Sequence, residues 1–95
     1  MQVEWDEHKN LRNQRKHGIS FEDAEEVFLD PLHVSLTERV VDGEQRWQTV
    51  GMIEGGLLLF VVHTSCEDDV EEAIRIISAR RADRRERKRY EEGNG

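Results

Sequence analysis

The chain of 95 residues holds a single cysteine, Cys66. An intramolecular disulfide is therefore impossible, and the expected compartment is the reducing cytoplasm. Long apolar runs are missing too, so no membrane span is expected. The N-terminus, MQVEWDEH, carries neither the basic nor the apolar region of a signal peptide. Aromatic residues amount to only 6%, too few for the exposed stacking pairs that a general single-strand RNA-binding module uses. His8, His17, His33 and His63 show no HxxxH spacing and the cysteine no CxxC spacing, so no metal and no cofactor is expected. Acids follow Cys66 directly and favour its protonated thiol, which makes it a poor nucleophile. Internal repeats and low-complexity linkers are also lacking.

What is present fits one polar domain, expected over residues 1–92, with a frayed tail at 93–95. At 37% charged and 36% hydrophobic, the chain still clusters its apolar residues, which argues for a fold. The net charge of −7 hides an asymmetry. Residues 67–72, EDDVEE, carry five acids, whereas residues 80–89 carry seven bases and two acids. Local patches of this kind decide where a polyanion docks, while net charge governs solubility and long-range steering.

Along the chain, Val3 to Trp5 reads as a short strand. Asp6 caps a helix to about His17, stopped by Gly18. That helix is unusually polar, with Leu11 as its only aliphatic residue. Lys9, Asn13, Lys16 and His17 share one of its faces, either solvated or in contact with a ligand. Ser20 starts a second helix with a core stripe of Phe21, Ala24, Val27 and Phe28, ended by Asp30-Pro31. From His33 the period becomes two, and Asp42-Gly43 marks a hairpin turn into a strand over 45–53. There Arg46, Gln48 and Val50 point one way and Trp47, Thr49 and Gly51 the other. Gly55-Gly56 turns the chain into 57–64, LLLFVVHT, apolar on both faces as a central strand requires. An acidic turn over 65–72 leads to a strand Ala73–Ala79, and a basic helix runs from about Arg81 to Glu92. The expected class is α+β, in the order β-α-α-β-β-β-β-α.

Arg46, Arg75 and Arg80 lie on or at the end of predicted strands, where side-chain direction is fixed. By alternation Arg75 shares a face with Ile77, while Arg80 emerges where strand gives way to helix. Guanidinium groups bind phosphate oxygens bidentately and stay charged at any working pH. Such a row suits metal-free phosphodiester cleavage; the competing reading is a set of surface salt bridges with the abundant acids.

Three segments carry a family resemblance: WDEHKNLRNQRKHGISFEDAEEVFLDP, GEQRWQTVG and IRIISARRADRRERKRY. From about Trp5 to Tyr90 the chain resembles the BrnT toxins of bacterial type II toxin–antitoxin systems, which are similar to RelE/ParE-type toxins. The resemblance implies a RelE-like, mainly antiparallel sheet packed by two N-terminal helices and a C-terminal basic helix. It also implies a ribonuclease that blocks translation. The implied partner is a BrnA-like ribbon-helix-helix antitoxin, with operator DNA reached only through that antitoxin. On this basis Arg46 and Arg80 are the matching positions for phosphate stabilisation. His17 is the candidate acid/base, its alternative being a structural histidine at the turn into Gly18. Lys16, Arg75, Arg81, Arg84 and Arg85 are the expected RNA contacts. One departure stands out. The family pattern places Thr-x-Arg before the RIISAR strand, and this chain reads Thr64-Ser65-Cys66 with the acidic EDDVEE after it. An alternative is therefore a weakened or inactive toxin homologue that binds the antitoxin and acts as co-repressor. The acidic turn either repels RNA or contacts a basic segment of the antitoxin.

Overall fold

The computed structural model describes residues 1–67 and 71–93. Five strands form one mixed sheet: β1 (Gln2–Glu4), β2 (Val34–Val41), β3 (Glu44–Met52), β4 (Leu58–Glu67) and β5 (Glu72–Arg81). Their spatial order is β1-β5-β4-β3-β2, with β1 parallel to β5 and the other neighbours antiparallel. The apolar segment LLLFVVHT thus supplies the middle strand, as its two apolar faces require.

Helix α1 (Glu7–His17) begins where the Asp6 carboxylate accepts the N–H groups of His8 and Lys9 at 2.8 and 3.2 Å. It ends at Gly18, whose φ of 74° would strain any residue with a Cβ. Its buried side chains are two asparagines, Asn10 and Asn13, while Leu11 is exposed. Asn13 behaves as a one-residue strand partner. Its Nδ2 donates to the carbonyls of Ala79 (2.8 Å) and Ile19 (2.9 Å), and its Oδ1 accepts the Ala79 N–H (3.1 Å). Asn10 Oδ1 accepts the Phe21 N–H at 2.8 Å. These bonds explain why so polar a helix docks: its sequence places hydrogen-bonding groups where other helices place leucines.

Helix α2 (Phe21–Ala24), capped by Ser20, tightens into a 3-10 turn over Glu25–Leu29. Phe21, Ala24 and Val27 pack with Ile19, Leu59, Val61, Ile76 and Ala79 on one sheet face. Gly51 permits this approach, because a Cβ there would lie 2.8 Å from Val27 Cβ and 2.9 Å from the Val27 carbonyl. On the other face, helix α3 (Arg84–Glu92) brings Tyr90 over a smaller cluster of Val50, Leu58 and Phe60. Tyr90 donates its hydroxyl to Asp30 Oδ2 at 2.6 Å, tying α3 to the loop before β2. That carboxylate pushes the Tyr90 pKa up to about 12.

Several expected boundaries are corrected. The last helix starts at Arg84, not Arg81, because Arg81 still pairs with Leu59 and Asp83 forms the capping box with Glu86. Strands β4 and β5 run further than 57–64 and 73–79, since Ser65, Cys66 and Glu67 pair with Ile74, Ala73 and Glu72. The broad acidic turn over 65–72 is accordingly a shorter connection, of which residues 68–70 lie outside the described residues, as do 94 and 95 of the expected tail. The Asp42-Gly43 turn has φ values of 51° and 82°, both left-handed, as a two-residue hairpin demands.

Candidate functional site

The sheet face beneath α3 collects the arginines. Arg46 of β3 pairs with Thr64 of β4, and Thr64 pairs with Arg75 of β5, so the three lie in one row across the sheet. Neighbouring strands are about 4.8 Å apart, which puts the Arg46 and Arg75 backbones roughly 10 Å from each other. Arg80 lies opposite Phe60, four residues along β4 and roughly 13 Å from that row.

Arg75 and Arg80 are five residues apart, an odd number that sends two side chains to opposite faces of a regular strand. The register shifts between Val62 and His63, where β5 has Ile77 as an extra residue. This bulge restores both arginines to the same face, and plain alternation misses it.

Each arginine has a different local setting. Arg75 is exposed and paired with the Glu44 carboxylate at the start of β3. Arg46 is half-buried, and among the described residues no carboxylate pairs with it. Arg80 is fixed. Its Nη1 and Nη2 donate to the two oxygens of Glu86 at 2.8 Å each, its Nη1 also donates to the Arg81 carbonyl, and its guanidinium carbon sits 4.3 Å from the centre of the Phe60 ring. Glu86 is 6% exposed, and its Oε1 accepts the Asp83 N–H as well. The hydrogen bonds to Glu86 raise the pKa of Arg80 further, against the opposing effect of burial. Arg80 Nε and the second N–H of Nη2 make no bond with the described residues and can donate side-on to two phosphate oxygens.

Around this row, Arg89 of α3 reaches Gln48 at 3.4 Å, and Gln48 donates to Glu38 at 2.9 Å. Cys66 is exposed and lies two positions beyond Thr64 on β4, hence on the arginine face. Arg81, Arg84 and Arg85 are exposed at the end of β5 and the start of α3.

His17 occupies a different place. It lines a shallow cleft between α1 and the edge of β5, with Lys9, Arg12, Lys16, Ile77 and Ser78. Its ring makes no hydrogen bond with the described residues, and the Gly18 N–H is satisfied by the Gln14 carbonyl. The structure therefore brings together Arg46, Arg75 and Arg80 and leaves Lys16 and His17 apart. The shared face of Lys9, Asn13, Lys16 and His17 is split as well, since Asn13 is buried against β5.

A roomier cavity, about 580 Å³, opens on the opposite face, lined by residues including His33, Trp47, His63 and Glu72. His63 is buried there. Its Nε2 bonds the Thr49 hydroxyl at 2.7 Å, which bonds the Ser35 hydroxyl at 2.7 Å, and its Nδ1 lies 3.2 Å from the Thr64 carbonyl. Burial pushes its pKa down. This is a hydrogen-bonded histidine in the core, edge-on to Phe28.

Glu86, the partner of Arg80, has no place in the sequence reading above. The spacing Asp83-x-x-Glu86 is the signature of a capping box, and it was available to find it.

A helix-backed sheet face rich in arginine belongs with proteins that handle phosphate chains, and the comparisons sharpen this. Residues 5–86 match the family model described as "Ribonuclease toxin, BrnT, of type II toxin-antitoxin system". The chain belongs to this BrnT family, and membership implies an antitoxin partner. A crystal structure of the Brucella abortus ribonuclease toxin, BrnT, is similar in fold, with a TM-score of 0.63 and 27% sequence identity. The alignment covers 88% of this chain and 99% of that one. No curated protein matches the chain.

Proposed function

We propose that this protein is an endoribonuclease toxin that cleaves RNA in the cytoplasm without a metal and so inhibits translation. A ribbon-helix-helix antitoxin neutralises it and carries the pair to operator DNA. The observation that supports this reading is the arginine face: Arg46, with no carboxylate partner among the described residues, and Arg80, held by Glu86 and Phe60, on the same side of the sheet.

The reaction is attack of a ribose 2′-hydroxyl on the adjacent phosphate, with expulsion of the 5′-oxygen. Charge grows on the non-bridging oxygens, and preorganised guanidinium groups stabilise it without reorganising. Arg46 serves the reacting phosphate. Arg80 is more than 10 Å away by strand geometry, so it grips a neighbouring phosphate of the same strand. Arg75 and Arg89 add charge beside Arg46, and Arg81, Arg84 and Arg85 extend the track along α3. His17 sits apart and acts as acid or base only if RNA bends around the edge of β5 to meet it.

The test is induction of the chain alone in bacteria, beside Arg46→Ala, with growth and RNA integrity followed together. Growth arrest with RNA loss, relieved at least about 100-fold by the substitution, is the expected result. Normal growth with soluble wild-type protein would refute the nuclease reading and favour a non-catalytic antitoxin-binding homologue.

A further inference from the structure

Beside the C-terminal part of α3, where β3 ends at Met52, the molecule presents an unusual surface. Leu29 is 74% exposed and Leu32 is 66% exposed, and with Met52 they line one groove of about 410 Å³. Scattered exposed leucines are ordinary, but a contiguous apolar groove with a polar rim marks a binding surface. The groove is rigid. The Asp30 carboxylate accepts the N–H of Leu32 at 2.9 Å, the N–H of Met52 at 2.8 Å and the Tyr90 hydroxyl, so one side chain ties three of its walls together. A preformed groove loses little entropy when it is filled.

The rim decides what fills it. Glu26 and Glu54 line the groove, and no basic residue does. Glu26 accepts the Glu54 N–H at 3.0 Å, whereas the Glu54 carboxylate has no partner among the described residues. RNA and anionic lipid are repelled by such a rim. A second copy of this chain fits poorly: its basic helix, RRERKRYEE, has no aliphatic side chain to enter the groove, and groove against groove opposes acid to acid.

We propose that this groove seats a basic, amphipathic segment of the antitoxin, its apolar side chains on Leu29, Leu32 and Met52 and its cations on Glu26 and Glu54. The proposal rests on the reading of the chain as the toxin of a pair, and it names the surface through which that toxin is held. The groove shares Tyr90 with α3, so a partner docked here stands next to the arginine face without using its phosphate-binding groups.

The experiment is calorimetric titration of the full-length protein with the antitoxin encoded beside its gene, at low and high salt. Leu29→Glu/Leu32→Glu is expected to weaken binding by about 100-fold, as loss of two central apolar anchors does. Glu54→Lys is expected to weaken it about five-fold and to flatten the salt dependence. Both variants should cleave RNA like the wild type and keep its circular dichroism. Wild-type affinity in the double variant overturns the proposal. So does a wild-type protein that does not bind the antitoxin, or a wild-type dimer that the double variant dissolves. RNA cleavage by the free wild type is read in parallel. Its failure counts against the nuclease reading and leaves the groove result standing.

Discussion

The Arg80–Glu86 pair makes a quantitative prediction, because the two residues are held to each other by two parallel bonds in a half-dry setting. Glu86 is nearly buried, while the Arg80 side chain is 36% exposed. Removing one partner of a fully buried pair costs about 3–5 kcal/mol, since the other charge is left without compensation. Water can reach Arg80 but not Glu86, so the two single changes should differ. Arg80→Met strands the buried carboxylate and should cost about 3 kcal/mol. Glu86→Leu strands only a partly solvated guanidinium and also loses the cap on Asp83 N–H, about 2 kcal/mol together. The double variant Arg80→Met/Glu86→Leu replaces the pair by apolar groups and should lose only about 1–2 kcal/mol, giving a coupling energy of about 3–4 kcal/mol. For a domain of this size, 1 kcal/mol shifts Tm by about 4–8 °C, so the differences are measurable by calorimetry and by urea titration. RNA cleavage discriminates further. Glu86→Leu keeps the guanidinium and loses its orientation, and should fall less than Arg80→Met. A coupling energy below about 0.5 kcal/mol, or equal RNA cleavage by all four proteins, would refute the argument that Glu86 holds Arg80 for phosphate.

Three further outcomes follow from local geometry. Gly51→Ala should destabilise the fold by about 2 kcal/mol or more, because the new methyl meets the Val27 backbone, which cannot step aside as a side-chain tip would; urea unfolding checks it, and a change below about 0.5 kcal/mol contradicts the packing. Cys66→Arg adds a cation to the arginine face beside Thr64, and should tighten RNA binding several-fold at low salt with a steeper salt dependence, read by fluorescence anisotropy. His63 has its pKa lowered by burial, so on acidification the unfolded chain takes up a proton at this residue first. Stability from this residue is complete above the unfolded value near 6.5 and is lost as pH falls below it, by at most about 1.4 kcal/mol per pH unit; unfolding between pH 5 and 8 should show that slope in the wild type and lose it in His63→Gln.

Much of this fold is legible because the signals are local. Asp6 and Gly18 bracket α1, Ser20 caps α2, Asp42-Gly43 turns the first hairpin, and the run at 57–64 announces the central strand. What escapes the sequence depends on pairing at a distance. Asn13 completes the edge of β5 at Ala79, 66 residues away, and a single asparagine on a polar helix gives no periodic signal for that. The bulge at Ile77 is set by the register of β4 against β5, so the shared face of Arg75 and Arg80 cannot be counted from either strand by itself. The parallel seat of β1 on Ala73–Arg75 is equally silent. Arg46 and Arg80 are legible as a motif, but their separation is not, and it is that separation which leads us to propose a different phosphate for each.

The pairing of charges, more than their sum, determines how an acidic protein can handle a polyanion. Of the three arginines on this face, Arg75 is neutralised by an exposed glutamate that solvent screens and a phosphate can displace. Arg80 keeps its charge and gives one edge to Glu86, so its attraction is reduced but its direction is fixed. Arg46 has neither restraint. On the proposed reading the face offers phosphate a graded set of partners, strongest at Arg46, which has no carboxylate partner among the described residues. Glu38 on Gln48 and Glu44 on Arg75 border this face, while Glu26 and Glu54 lie on the leucine groove and Glu22 on Asn10. Met52 of the groove is six residues along β3 from Arg46, roughly 20 Å, so with a Debye length of about 8 Å at physiological salt the groove's acids contribute little to the field at Arg46. The same screening leaves them free to serve a different, basic partner. One small domain thus carries both a cationic sheet face and an anionic, apolar groove, and the net charge of −7 describes neither surface.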